Sequence, residues 1–246
     1  MTSQYKRIIG NLLISNGQLC RTKEFIPDYY YTLEYIDTKS FDELLIINVG
    51  NNSNIFDDDF NTTIAKIMKK VELPLILGGN INNEKSILRS FEIGADRVLL
   101  GKSSLREDVK YEKVLSKYGM QAFIGSIVYD SRKIHTSSEK ESIKALITQF
   151  TSLGVSEIML TAIDRDGSLK GLDLTGAEFA NRLTNSPLIL SGGLGNWKHI
   201  EDALSLDSVV GVSTSNIHHL SSSAIESARE YLIEKKVPIR YNYHKL

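Results

Sequence analysis

Short apolar runs of strand length alternate along the chain with longer stretches whose apolar residues recur at helical spacing. The runs predict strands at Arg7–Ile14, Glu43–Val49, Pro74–Gly78, Arg97–Gly101, Gln121–Val128, Ser156–Ala162, Pro187–Ser191 and Ser208–Ser213. Between them the spacing predicts helices near Tyr29–Thr38, Phe60–Val71, Glu84–Ile93, Lys110–Lys117, Ser142–Leu153, Leu174–Leu183, Lys198–Leu204 and Ser223–Lys235. Regular alternation of this kind builds parallel βα units. Eight units in 246 residues predict an α/β protein of the (β/α)8 TIM-barrel class, with an open doubly wound sheet as the structural alternative.

The pattern also repeats. Glu43-Leu44-Leu45-Ile46 returns as Glu157-Ile158-Met159-Leu160, and Pro74-Leu75-Ile76-Leu77-Gly78-Gly79 as Pro187-Leu188-Ile189-Leu190-Ser191-Gly192-Gly193. Glu157 lies 114 residues after Glu43, and Gly192 lies 114 after Gly78, so the two halves are in register. A barrel built from two similar half-barrels accounts for this better than an open sheet. No linker or low-complexity segment interrupts residues 1–246, so one domain is expected.

Composition narrows the partners more than the fold. With 41% hydrophobic and 24% charged residues, the chain reads as a soluble globular protein. A net charge of -1 gives no field for nucleic acid or an anionic membrane. The single cysteine, Cys20, excludes an internal disulfide and a cysteine-based zinc cluster. The N-terminal residues lead into an apolar strand without a signal-like segment, and no apolar run approaches a membrane span of about 20 residues, so a cytoplasmic protein is expected. The five histidines (His135, His199, His218, His219 and His244) lack metal-ligand spacing with a carboxylate partner, and neither a metal nor a cofactor is expected.

Candidate chemistry gathers at the carboxyl ends of the predicted strands. Thr161-Ala162-Ile163-Asp164-Arg165-Asp166-Gly167-Ser168 follows an apolar run, and three charges with a glycine there suit a polar site. Asp166 and Gly167 are expected to offer a carboxylate and a backbone N–H to a ligand. Gly78-Gly79-Asn80-Ile81 and Ser191-Gly192-Gly193-Leu194-Gly195 each follow a strand, where glycine lets backbone N–H groups approach a ligand. In each half the next strand ends in small polar residues, Gly101-Lys102-Ser103-Ser104 and Ser213-Thr214-Ser215-Asn216. These would open short helices whose N-termini favour an anion. Paired loops of this kind form a common barrel phosphate site. Their double occurrence predicts one phosphorylated ligand with a phosphate at each end, held by Gly79, Asn80, Gly101, Lys102, Ser103, Thr161, Asp166, Gly167, Ser191, Gly192, Gly193, Thr214 and Ser215. Tyr29-Tyr30-Tyr31 is expected to start the first helix and pack on the barrel, and Trp197 to begin a later one.

These motifs, with Lys6-Arg7-Ile8-Ile9, Asp42-Glu43-Leu44, Gly94-Ala95-Asp96-Arg97-Val98 and Glu230-Tyr231-Leu232, resemble the cyclase (HisF-type) subunit of imidazole glycerol phosphate synthase nearly end to end. The resemblance implies a barrel that docks a glutaminase (HisH-like) subunit at its N-terminal face. It also implies that ammonia passes through the barrel to a bis-phosphorylated ribulosyl substrate at the C-terminal face. A ring of alternating charges in that family surrounds the ammonia entrance, and here it falls on Arg7, Glu43, Arg97 and Glu157, all signs kept. Asp96 matches a residue that faces the glutaminase. The acid/base aspartates of the family fall on Leu13 and Val128, neither of which transfers a proton, and its strand-four asparagine falls on Gly101. Asp130, two residues beyond Val128, would share its face if the strand continued, about 6.5 Å further up, and is the candidate catalytic carboxylate, with Asp166 as a second group for proton transfer. The segments Ser15 to Pro27 and Ser131 to Ser138 look shorter than their counterparts.

An ammonia entrance without the catalytic pair is similar to divergent paralogues that accompany a glutaminase-like subunit and a sugar amidotransferase, associated with acetamidino sugars of surface polysaccharides. Three readings are thus expected in order: an ammonia-conducting amidotransferase component, a working cyclase with relocated acid/base groups, and a phosphate-ligand-binding barrel without chemistry.

Overall fold

The computed structural model describes residues 5–35, 38–50, 57–106, 109, 111–215 and 224–240. Ten strands occur in the described residues: β1 (Arg7–Ser15), β2 (Gln18–Lys23), β3 (Ile26–Tyr31), β4 (Glu43–Asn48), β5 (Leu75–Gly78), β6 (Arg97–Leu100), β7 (Phe123–Tyr129), β8 (Glu157–Ala162), β9 (Leu188–Ser191) and β10 (Val209–Thr214). Eight of them, β1 and β4 to β10, run parallel in chain order, and β10 pairs with β1 to close the barrel. Helices α1 (Asp58–Met68), α2 (Glu84–Glu92), α3 (Glu112–Tyr118), α4 (Ser137–Leu153), α5 (Leu174–Asn181), α6 (Trp197–Leu204) and α7 (Ala224–Glu234) follow β4 to β10 in turn. The fold is a (β/α)8 TIM barrel.

The segment after β1 departs from the expected helix at Tyr29–Thr38. It forms an antiparallel hairpin, β2–β3, that extends from β1 through the pairs Leu13 with Cys20 and Ser15 with Gln18. The hairpin's outer strand contains Tyr29, Tyr30 and Tyr31, and two 3-10 turns, Leu33–Tyr35 and Thr38–Ser40, take the place of the first helix. The cause is local. Asn16 and Gly17 both have positive φ (49° and 72°), as do Glu24 and Phe25 (51° and 63°). Two residues of this conformation make the tight turn whose twist matches paired strands.

The two halves share their packing as well as their sequence. A Cβ on Gly10 of β1 would lie 2.6 Å from the Phe41 ring, and one on Gly125 of β7 would lie 2.6 Å from the Phe150 ring. Each glycine admits an aromatic ring against the outer wall at the same place in its half. Asn83 and Asn196, 113 residues apart, cap α2 and α6 through their side chains.

Two apolar cores result. The larger lies between strands and helices. The smaller fills the barrel with Ile9, Leu45, Ile76, Leu99, Ile124, Met159, Ile189 and Val210. Barrel strands one, three, five and seven (β1, β5, β7 and β9) each supply an isoleucine, as alternate strands do in a layered barrel interior.

Candidate functional site

At the N-terminal end, register explains how four charges share one opening. Glu43 pairs with Ile9, Arg97 with Ile76 and Glu157 with Ile124, so three even-numbered barrel strands place a charged residue in one layer below the isoleucines. The fourth position of that layer is Gly211, paired with Ile189. Arg7 pairs with Gly211 from the neighbouring strand. Its guanidinium donates to Glu43 Oε1 and Glu157 Oε1, both at 2.7 Å. Arg97 completes the circuit at 2.8 Å from Glu157 Oε2 and 3.8 Å from Glu43 Oε2. Its Nη2 donates to Ser156 Oγ at 2.8 Å, so its link to Glu157 is an ion pair rather than a hydrogen bond. All four side chains are no more than 15% exposed. Burial alone would lower the Arg7 pKa; Glu157 and Glu43 outweigh it and raise the value above its ordinary one. The result is a closed ring of alternating sign. Beside it, exposed Asp96 accepts the Leu75 N–H at 2.8 Å.

The C-terminal end is chemically different. A cavity of about 280 Å³ opens there, lined by Phe25, Ile47, Asn48, Val49, Gly50, Gly79, Asn80, Ile81, Leu99, Gly101, Ser103, Ser126, Val128 and Thr161. It therefore gathers five of the expected binding residues: Gly79, Asn80, Gly101, Ser103 and Thr161. None of the lining side chains can ionise. Leu13 is buried and Val128 is 43% exposed, so apolar surface stands where the resemblance places carboxylates. Asp130 does not extend the face of Val128, because β7 ends at Tyr129 and a 3-10 turn, Ser131–Lys133, begins. The Asp130 carboxylate is engaged by Arg132 Nε at 2.8 Å and by Lys133 at 3.4 Å. The Arg132 hydrogen bond is the main cause of a pKa lowered to about 2, which suits an ion pair and not a general base at neutral pH.

The charged loop after β8 is also occupied, contrary to the expected free carboxylate. Asp166 is buried and accepts Thr22 Oγ1 at 2.5 Å and the Phe25 N–H at 3.1 Å. Its pKa is raised by burial, against which the hydrogen bonds from Thr22, Phe25 and the Gly167 N–H act. Arg21 donates to the Gly167 carbonyl at 3.2 Å. Asp164 accepts both the N–H and the Oγ–H of Ser131, and Arg165 bonds Ser131 Oγ and the Gly171 carbonyl. Asp166 thus clasps the hairpin tip, which holds Phe25 over the cavity.

Both glycine turns are demanded first by backbone packing. At Gly79 (φ 97°) a Cβ would lie 2.3 Å from the Asn48 carbonyl oxygen, and at Gly192 (φ 92°) 2.4 Å from that of Ala162. Gly193 accepts the Gly171 N–H at 2.7 Å. Ser191, Gly193, Thr214 and Ser215 are buried at the ends of β9 and β10, while Lys102 and Ser103 are exposed. The short turn Lys102–Ser104 begins after Gly101. The second short helix expected after Ser215, with His218 and His219, lies outside the described residues, as do His244 and the end of the tail. Phe25, Asn48 and Ser126 join the cavity without having been expected. Ser126 lies two residues before Val128 on the same strand face, a signal that was available.

The class that the fold defines is a TIM barrel, here with a charged ring at its N-terminal end and glycine turns at its C-terminal end. Residues 10–221 match the family described as histidine biosynthesis protein, and the chain belongs to that family. It is similar to the imidazole glycerol phosphate synthase subunit HisF of Chlorobium chlorochromatii (strain CaD3), 28% identical over 96% of this chain and 99% of the relative. The proteins of the same name from Chlorobium luteolum and Chloroherpeton thalassium are each 28% identical over 96% of this chain and 98% of their own length. The chain is HisF-like. Among the described residues no helix is long and apolar enough to cross a membrane.

Proposed function

We propose that this chain is the ammonia-conducting synthase component of a glutamine amidotransferase. A glutaminase docks at the N-terminal face, where Asp96 is exposed beside the ring of Arg7, Glu43, Arg97 and Glu157. The ring is the gate. Its charges satisfy one another when shut, and a shift of one guanidinium opens a way to the interior. Ammonia leaves at the C-terminal mouth for a partner that amidinates a sugar of surface polysaccharide. The Ser191–Gly193 turn with Thr214 and Ser215 holds a phosphate of the ligand, and the cavity around Gly79, Asn80 and Ser103 takes its neutral part.

One observation carries this reading over a working cyclase: no lining residue of the mouth cavity can ionise. Each missing acid/base group costs of order 10²–10⁴-fold in rate. With Leu13 and Val128 at the mouth and Asp130 and Asp166 engaged elsewhere, none of these four positions offers a free carboxylate to move a proton.

The test supplies the purified chain with the bis-phosphorylated ribulosyl substrate and ammonium salts at alkaline pH, so that no glutaminase is needed. No turnover above background is expected from a protein shown to be folded. Robust turnover would overturn the conduit reading in favour of a cyclase with acid/base groups outside this cavity. A defined complex with a glutaminase is expected in parallel; indifference to every candidate glutaminase would sink the docking half.

A further inference from the structure

The barrel's apolar plug lacks one of its members. Leu45 pairs with Ile76, Leu99 with Ile124 and Met159 with Ile189, each an even-numbered barrel strand set against the isoleucine of the next. The same relation on the fourth even strand pairs Ser213 with Ile9. A serine therefore stands where the pattern calls for a leucine or methionine. Directly below, the charged layer has its own small member on the same strand, Gly211. Val210, turned inward by the bulge between Val209 and Gly211, precedes Gly211 and does not take the place of Ser213. A seam of small side chains thus climbs β10 from beside Arg7.

Two buried polar atoms, one on this seam and one on the strand beside it, have no hydrogen-bond partner among the described residues. Ser213 is 1% exposed and its Oγ has no hydrogen-bond partner among the described residues. Asn11 is 5% exposed, and its Oδ1 likewise has none. Asn11 lies two residues beyond Ile9 on β1, hence on the same inward face and one step above Ser213. A buried acceptor without a donor is costly and is rarely left so. Positions on neighbouring strands that are offset by two residues lie about 8 Å apart between backbones; one small molecule can hydrogen-bond two atoms up to about 6 Å from each other, and the length of the Asn11 side chain covers the remainder.

We propose that Asn11 Oδ1 and Ser213 Oγ together bind one small neutral hydrogen-bond donor inside the barrel, and that its occupant in the working complex is ammonia between gate and mouth. The assignment of ammonia rests on the conduit reading above; the site itself does not. Asn11 Oδ1 accepts an N–H of the molecule, and Ser213 Oγ donates its hydrogen to the molecule's lone pair. The apolar layer elsewhere excludes bulk water, so the molecule passes in single file along β10.

The test is crystallographic and uses the full chain. Unsoaked crystals are expected to show one single-atom peak within about 3.2 Å of both atoms. Soaking with hydroxylamine, a neutral ammonia surrogate with one more heavy atom, is expected to lengthen that peak. Asn11→Leu should abolish the peak, and the milder Ser213→Ala should weaken it if the larger change disturbs folding. An empty site would overturn the proposal. A single-atom peak that hydroxylamine never replaces would overturn the transit role and leave a fixed structural water. Neither result bears on glutaminase docking. Failure to bind glutaminase would overturn the conduit and with it the ammonia assignment, while the soaks still decide whether the site exists.

Discussion

The two ends of this barrel solve opposite problems with the same strands. At the N-terminal end, strands one, two, four and six bring four charges into a space where each is at most 15% exposed, and every charge is neutralised by neighbours. At the C-terminal end, the charged residues turn away from the cavity and bind other loops: Asp166 the hairpin, Asp164 Ser131, Asp130 Arg132. Charge is buried and paired in the N-terminal opening, and absent from the side chains that line the C-terminal cavity. The contrast teaches that the two ends of one barrel can differ independently in character, because each depends on different residues of the same strands.

The largest expected effect breaks the first side of that comparison. Glu157 contacts both arginines. Glu157→Gln would leave two buried guanidinium groups sharing one carboxylate, and loss of one partner of a buried pair costs about 3–5 kcal/mol. An unfolding free energy lowered by that much, read as a lower urea midpoint, is expected at neutral pH. An unchanged midpoint would mean that water already reaches the ring and that the gate stands open in solution.

Next come the glycine turns, where the two halves of the barrel are compared with each other. Gly79→Ala and Gly192→Ala each put a methyl group against a carbonyl oxygen at positive φ. Strain of this kind costs about 1–3 kcal/mol, and similar losses are expected in both. The phosphate reading adds an asymmetry: inorganic phosphate should stabilise Gly79→Ala as it does the parent, but not Gly192→Ala. Equal stabilisation of both variants in thermal unfolding would remove the second turn as the phosphate site.

The barrel was legible because its strands are continuous apolar runs, and the half-repeat because Glu43 and Glu157 head matching strands. The first βα unit was misread for a physical reason. Tyr29-Tyr30-Tyr31 fits helical spacing as well as strand alternation, and Asn16-Gly17, the favoured dipeptide of a two-residue hairpin, was the local signal that decided it. The ring was legible through the resemblance. The fate of Asp166 was not, since its partners Thr22 and Phe25 are 144 and 141 residues away and only closure of the barrel brings them near. The place of Ser213 in the plug likewise requires the strand register, which no run of residues displays.

A smaller effect tests the clasp on the hairpin. The Asp166 pKa is raised from its ordinary 3.8, chiefly by burial. The folded state then holds its proton to higher pH than the unfolded state does. Stability from this group is full below 3.8 and declines as pH rises through the raised value. Asp166→Asn removes that titration and keeps an acceptor for Thr22 or Phe25. Relative to the parent, it is expected to gain stability as pH rises from 4 to 7 in thermal unfolding. A parallel pH dependence of the two proteins would show that Asp166 is solvated and that the hairpin lifts away from it.

The smallest expected effect is the one that sharpens the comparison most. Asp130→Asn removes the one carboxylate that the family pattern could recruit at the mouth. It sits on a 3-10 turn with Arg132, its pKa lowered to about 2 by that hydrogen bond first. Stability from the ionised form is present above 3.8 and lost as pH falls toward 2, so at neutral pH only an exposed ion pair is removed. No change is expected in ligand-induced stabilisation, in glutaminase docking or in the background rate with ammonium salts. A turnover that the parent shows and Asp130→Asn loses would place a working base at this turn. The C-terminal end would then have kept its chemistry by moving a carboxylate along the strand, and the two ends of the barrel would no longer differ in what they retained.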